Sequence, residues 1–335
     1  MTSRSLRFLM SAQGIIVLTA VILIAGLTVL NPVLMSPANL VDLCRNALVT
    51  GILAIGVMLV LASGGIDVSF TAIAAFSMYA SVKLVLALGS AWPMGVILIV
   101  STLIGAGLGL INGLIIGGLG LPTLIVTLGT LRFFRGVLLT FLGTSYLSDL
   151  PPQIDDFSNR NLLSLTNAAG QTASLPASFL VFIMVAAFVW FLTNCTMMGR
   201  NIYAIGGTEE GARRIGVNIF WVKVWVYVLA GAIAGLAGIA HLSLARTANP
   251  FDIVGTELNV IAAVVLGGAR ITGGHGGVGG TILGVFMITI INNSLLLVGV
   301  PSYWQRGVVG CLILFGASLP ILAERLRVRT AGGIG

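Results

Sequence analysis

Charge is what this sequence has least of: only 8% of its 335 residues are Asp, Glu, Lys or Arg, whereas soluble domains carry about 25%. A chain so poor in charge cannot clothe a water-facing surface. With 57% of its residues hydrophobic, its main solvent is lipid. Lysine is scarcer still. Lys83 and Lys223 are the only two, and neither follows glycine, so the Gly-Lys-Ser/Thr loop that cradles nucleotide phosphates is missing. That excludes ATP hydrolysis by this route. Cys44, Cys195 and Cys311 lie far apart and form no C-x-x-C, which argues against a disulfide framework or a thiolate metal site. The two histidines, His241 and His275, stand in no H-E-x-x-H frame, so no bound metal is expected. Nor does any apolar stretch hold the paired nucleophile and base that a membrane-embedded hydrolase requires. The net charge of +7 is spread over segment ends rather than gathered into a stripe, as topology demands of a membrane protein, and nucleic acid is set aside as a partner.

What the chain does have is apolar runs of bilayer-spanning length, about 20 residues each. Ten are expected, at 12–31, 46–63, 70–89, 94–117, 121–143, 178–195, 221–245, 256–270, 279–298 and 304–323, with a polar loop at 144–177 and another at 196–220. The first run follows Arg4 and Arg7 but no A-x-A-like cleavage site follows it, so it reads as a retained span rather than a signal peptide. The fold class expected is therefore an all-α integral membrane protein, a single domain of about ten transmembrane helices. The run at 256–270 is short and Gly-interrupted, so eight full spans with broken or re-entrant pieces fit nearly as well.

Orientation follows from basic residues, which favour the cytoplasmic side. With the N-terminus inside, the inner loops hold Arg4, Arg7, Arg200, Arg213, Arg214, Arg270, Arg325, Arg327 and Arg329, and the outer loops hold Arg45, Arg160 and Arg246. Both termini then face the cytoplasm. The loop at 144–177, with Asp149, Asp155 and Asp156, falls outside. A weak internal echo pairs Thr102, Gly105, Gly120 and Pro122 with Thr281, Gly284, Gly299 and Pro301 at constant offset, and Asp67-Val68 with Asp252-Ile253. The paired spans run in opposite directions in this topology, the pattern of an inverted repeat, which places a substrate route at the interface of its halves.

The longest inner polar stretch is Met198 to Phe220. Thr208, followed by Glu209, Glu210, Ala212, Arg213 and Arg214, reads as an N-capped short helix with acids in its first turn, bases in its last and Gly216 as its stop. A plain connector needs no ordered helix between glycine-flanked hinges. A lever that docks on a partner does.

Four stretches together carry a resemblance to a known family: SGGIDVS at 63–69, PTLIVTLGTLRFFRG at 122–136, GRNIYAIGGTEEGARRIGVN at 199–218 and GTELNVIAAVVLGGARITGGHGGVGGT at 255–281. With NNSLLLVGV at 292–300, they resemble the permease subunits of bacterial ABC importers for monosaccharides, of the ribose/xylose/arabinose type, over roughly residues 40 to 320. The resemblance implies an ABC-importer permease in the bacterial cytoplasmic (inner) membrane, importing a sugar or small polyol by alternating access. It implies three partners: a cytoplasmic ATPase that binds the ATP and magnesium, an extracytoplasmic solute-binding protein, and a second permease copy or a paralogue completing a dimer. It assigns Glu209, Glu210, Ala212, Arg213, Arg214 and Gly216 to the ATPase contact. Phe70-Thr71, Asn259, His275 and Asn293-Ser294 depart from the family's usual residues and leave the solute open. A branched-chain amino-acid permease and an ion-coupled carrier stand as alternatives. The carrier needs a mid-membrane acid for its coupling ion, and no span offers a convincing one.

Candidate solute contacts are few. Thr123, Thr127 and Thr130 fall at i, i+4 and i+7, on one helix face; Thr123 is expected to bond back to its own helix, Thr127 and Thr130 to face the pathway. Asn112, Asn292 and Asn293 put amides into apolar runs, where amides bind sugar hydroxyls or hold helices together. Arg132 and Arg135 sit mid-span, where each costs about 2.5–3.5 kcal/mol if left to lipid. Asp67, Asp252 and Glu257 are the carboxylates expected near enough to pair with them.

Overall fold

The computed structural model describes residues 36–89, 92–166 and 172–297, together with 301, 304, 307 and 310. The expected spans at 12–31 and, for the most part, 304–323 lie outside the described residues. Eleven helices and one hairpin follow in order: α1 (Pro37–Ala62), α2 (Phe70–Leu88), α3 (Met94–Leu119), α4 (Thr123–Val137, prolonged by a π-helical turn, Leu138–Leu142), α5 (Pro152–Asn159), β1 (Asn161–Thr166), β2 (Thr172–Pro176), α6 (Phe179–Cys195), α7 (Met197–Gly207), α8 (Glu209–Arg214), α9 (Ile219–Ala245), α10 (Glu257–Leu266) and α11 (Val278–Leu297). Among the described residues, six helices are long and apolar enough to cross a membrane. A seventh span is counted if α6 and α7, which meet at a 74° bend, are taken as one. The chain is a multi-pass membrane protein.

α1 begins nine residues before the expected boundary. Ser36 caps it, its Oγ accepting from the Asn39 amide at 3.2 Å, and Pro37 stands in the first turn, where its fixed φ and missing N–H are harmless. Hydropathy conceals this start because Asn39, Asp42 and Arg45 are helical. From Gly51 to Ala62 every residue of α1 is buried. A helix apolar on all sides and buried on all sides is the centre of a bundle, and α1 packs against α9, α11, α10 and α6.

The closest seam joins α3 to α9. On α3 only Ile97, Ser101, Gly105, Gly109, Asn112, Gly113 and Ile116 are buried, a single stripe, while Ile99, Leu103 and Leu114 point outward, as lipid-facing residues do. A Cβ on Gly105 would overlap the Gly231 carbonyl oxygen, one on Gly109 would overlap that of Tyr227, and one on Gly113 would stand 2.8 Å from the Val224 Cα. The helices touch backbone to backbone. Between lipid-solvated helices, close packing of small residues replaces the hydrophobic drive, and the Ser101 hydroxyl adds a hydrogen bond to the Gly235 carbonyl at 2.8 Å.

The described part of the polar stretch at 144–177 holds secondary structure rather than a plain loop. It contains α5 and the antiparallel β1–β2 hairpin, and β2 packs on α1. At the same end of the bundle Leu147 and Ala248 exchange backbone hydrogen bonds of 3.1 and 3.0 Å. The Tyr79 hydroxyl donates to the Ser145 carbonyl at 3.0 Å.

Candidate functional site

The chain breaks its own helices at two places inside the bundle. The first is Ser63–Ser69, between α1 and α2, where Gly64 takes a φ of 84°. Non-helical backbone at membrane depth needs polar partners from its neighbours, and these are supplied by name. The Thr123 hydroxyl, from the first turn of α4, accepts the Ile66 amide at 2.9 Å. Thr127 donates to the Ile66 carbonyl at 3.3 Å. Asp67, 2% exposed, accepts from both the amide and the hydroxyl of Ser69 at 2.7 Å, an Asx turn that opens α2. Ser69 in turn accepts from the Asn112 amide at 2.8 Å, which ties the break to α3. The Tyr227 hydroxyl of α9 is buried beside it, 2.8 Å from where a Gly65 Cβ would stand.

The second break runs from Arg246, in the left-handed region at φ 55°, to Thr256. It is held by the Asn249–Asp252 side-chain contact and by Glu257, whose Oε1 accepts the Gly255 amide at 2.9 Å. The same oxygen accepts the Thr71 hydroxyl at 2.5 Å. The two breaks are thereby joined through the first turn of α2.

These bonds decide where the expected site residues lie. Thr123 does not bond back to its own helix but serves the break. Thr127 is fully buried and shares its hydroxyl between Ile66 and Leu124, and Thr130, 9% exposed, donates to the Thr127 carbonyl. Asn112 is fully buried and bound to Ser69. Asn293 joins helices, its amide donating to Asn39 at 2.8 Å, while Asn292 is half-buried. Arg132 is exposed and Arg135 half-buried, and neither makes a hydrogen bond or ion pair among the described residues. The expected carboxylate partners are engaged elsewhere: Asp67 by Ser69, Glu257 by Thr71 and Gly255, Asp252 by Asn249 and, at 3.8 Å, His241. Among the described residues no salt bridge joins Arg132 or Arg135 to these acids, because the acids cap turns.

At the other end of this region stands the polar loop at 196–220, which contains two helices. Thr196 caps α7, accepting from the Gly199 amide at 3.2 Å. Thr208 ends α7 and caps α8, accepting from the Gly211 amide at 3.1 Å. Gly216, at φ 86°, turns the chain beyond α8. Of α8 only Ala212 is buried. Glu209, Glu210, Arg213 and Arg214 are exposed, with Glu210 paired to Arg214 at 2.6 Å and Glu209 to Lys223 of α9 at 2.5 Å. The exposed Glu210–Arg214 pair contributes about 0–1 kcal/mol, so α8 is held mainly by its cap, by Ala212 and by the contact with Lys223, and its charged side chains remain exposed.

A bundle of long apolar helices, broken twice within and bearing a charged helix on a polar loop, is the architecture of a membrane permease. The chain belongs to the permease family described as branched-chain amino acid transport system / permease component, whose model matches residues 39–317. It is 31% identical over 227 residues to the autoinducer 2 import system permease protein LsrC of Yersinia pseudotuberculosis serotype O:1b, covering 68% of this chain and 62% of that one. To the LsrC protein of Escherichia coli K12 / DH10B it is 32% identical over 227 residues, 68% of this chain and 64% of that one. To the galactose/methyl galactoside import permease protein MglC of Escherichia coli K12 it is 35% identical over 237 residues, 69% and 68% of the two. The chain thus spans less than two thirds of the length of the LsrC relatives.

Proposed function

We propose that this chain is the translocation-pathway subunit of an ATP-driven importer for a monosaccharide or similar small polyol, and that it is not itself an enzyme. The family membership, the import-system name of LsrC and the galactose/methyl galactoside name of MglC support the class. The observation that carries the mechanism is α8: a capped helix, exposed but for Ala212, beside the bundle of a chain that has no phosphate-binding loop of its own. The engine is then a separate cytoplasmic ATPase, which binds the ATP and magnesium and docks on Glu209, Glu210, Ala212, Arg213, Arg214 and Gly216. A solute-binding protein delivers from the other side, and a second permease copy or a paralogue completes the pathway. The location is the bacterial inner membrane, with both termini cytoplasmic and about ten spans.

The inverted repeat belongs to the same reading. Gly105 and Gly284, its counterpart, each sit at a helix crossing where a Cβ would overlap a carbonyl oxygen, that of Gly231 in one case and Ala263 in the other. Residues 63–69 and 246–256, the two Asp-bearing breaks, each open a helix. A route between them is polar without being charged, as befits a solute carried in by a binding protein. Thr127, Thr130, Asn112, Asn292 and Asn293 are its nearest hydroxyls and amides in this scheme, Asp67 shapes the break, and Arg132 and Arg135 face protein or water rather than lipid.

The test is reconstitution. Place the purified chain in liposomes with and without the ATPase that co-purifies with it, and follow labelled ribose, galactose and leucine in the presence of the binding protein. Sugar uptake that needs both ATP and the companion is expected. Concentrative uptake by the chain alone overturns the reading, and leucine uptake instead of sugar favours the amino-acid class that the family description names.

A further inference from the structure

Three backbones meet at one point with almost no side chain between them. They are the end of α7 at Gly206-Gly207, the end of α1 at Ala62–Gly64, and the loop between α10 and α11 at Gly273-Gly274. A Cβ on Gly206 would overlap both the Ala62 carbonyl oxygen and the Gly274 amide nitrogen. A Cβ on Gly273 would come within 2.7 Å of the Gly206 oxygen and 2.7 Å of the Gly64 Cα. The Gly274 amide donates to the Ala62 carbonyl at 3.0 Å, and the Tyr203 hydroxyl of α7 donates to the Gly276 carbonyl at 2.9 Å. Gly64, Gly273 and Gly274 all have positive φ, at 84°, 91° and 71°.

The position of this junction gives it meaning. Two residues after Gly206 in the chain stands Thr208, the cap of α8. Two residues after it, along the other backbone, stands Ile66, held at its amide and carbonyl by Thr123 and Thr127 of α4. Asp67 and Ser69, bound to Asn112 of α3, follow at once. Side chains in van der Waals contact can slide or change rotamer when an element shifts. Backbones in direct contact, with a hydrogen bond between them, cannot, so displacement of one moves the other.

We propose that this glycine junction is the rigid link through which movement of α8 reaches the 63–69 break, with Gly206 as its central positioning residue. The inference rests on the reading of α8 as the ATPase contact. A push on α8 moves the end of α7 bodily. Gly206 carries the push to Ala62 and Gly64, and the break shifts its bonds to α3 and α4, opening or closing the route there. The junction also explains why α7 exists: it is a short stiff arm between the lever and the break.

The experiment uses the purified complex of the full chain with its co-purifying ATPase. Backbone hydrogen exchange of residues 63–69 is read with and without ATP plus vanadate, alongside ATPase association and hydrolysis. In the wild type, nucleotide is expected to change exchange in 63–69. In Gly206→Ala, association and hydrolysis are expected to persist while that change disappears and transport per ATP hydrolysed falls at least tenfold. Tyr203→Phe, which removes only one hydroxyl, covers the case in which Gly206→Ala does not fold; it is expected to give a smaller loss of the same kind. Gly279→Ala, whose Cβ meets open space, is the control. If 63–69 responds to nucleotide as fully as in the wild type in Gly206→Ala, or in Tyr203→Phe when the former does not fold, the junction is not the link. If the wild type binds no ATPase, the reading of α8 fails, and that result is distinct.

Discussion

At the scale of single residues the structure turns on groups with no room or no substitute. Gly231 is the sharpest case. A Cβ there would overlap the Gly105 carbonyl oxygen and stand 2.9 Å from the Gly109 Cα, so Gly231→Ala must force α3 and α9 apart. Overpacking of this kind costs about 1–3 kcal/mol, and because the obstacle is backbone the upper end is expected. The apparent melting temperature in detergent is expected to drop by several degrees, while Gly107→Ala, facing open space, leaves it unchanged or higher. Thr123 is a second case. Its hydroxyl is the acceptor for the Ile66 amide, and removing it leaves a backbone donor unpaired, at about 1–3 kcal/mol if the site stays dry. Thr123→Val is therefore expected to melt earlier than wild type and Thr123→Ser close to it. Equal melting of the two would mean that water serves Ile66.

At the scale of elements, α8 shows how little holds a functional helix. A six-residue helix is far below the length that is stable alone, and its internal Glu210–Arg214 pair is a surface pair. The Thr208 cap is the main local support, and Thr208→Ala is expected to lose about 1 kcal/mol of it. That is enough to fray α8 while the bundle stays folded. Circular dichroism of the whole protein will barely change, but association with the ATPase is expected to weaken severalfold, with Thr208→Ser restoring it. This helix was legible in the sequence because caps and charge order are local signals: Thr208, Glu209, Glu210, Arg213, Arg214 and Gly216 give its ends without reference to anything else. Six long apolar helices among the described residues fall on expected spans, since lipid imposes length and hydropathy together, whereas 256–270 holds only the ten-residue α10. α7 was not legible, because its residues are neither apolar enough for a span nor capped by an acid. The β1–β2 hairpin and α5 were hidden inside a stretch whose polarity said only that it lay outside lipid. Thr123, Asp67 and Glu257 were noticed as residues but given the wrong partners. Thr123 serves the distant Ile66 amide and Glu257 a hydroxyl 186 positions away, which no local pattern encodes, whereas Asp67 bonds Ser69 two residues on, a turn that is local. The Gly105, Gly109 and Gly113 spacing was there to be read, as small residues one turn apart that mark a helix seam.

At the scale of the whole molecule the decisive question is which side each polar region faces. In the orientation proposed here, the excess of arginine in the loop containing α8 and its scarcity in the stretch containing α5 and β1–β2 support a cytoplasmic place for the first and an outer one for the second. The chain order adds a constraint: α6 alone, Phe179–Cys195, separates β2 from α7, so the two cannot share a side if α6 crosses the bilayer. A membrane-impermeant maleimide tests both together. In a background with Cys44, Cys195 and Cys311 replaced by serine, Asn159→Cys, exposed at the end of α5, is expected to label in cells whose inner membrane is sealed. Glu210→Cys, exposed on α8, is expected to label only after that membrane is permeabilised. The reverse pattern would put α8 outside, beyond the reach of any ATPase. Labelling of both in sealed cells would mean that α6 does not cross, and the bend between α6 and α7 would then be re-entrant. Only the expected pattern leaves α8 where a cytosolic engine can push it, because a lever works only on the side where the force is applied.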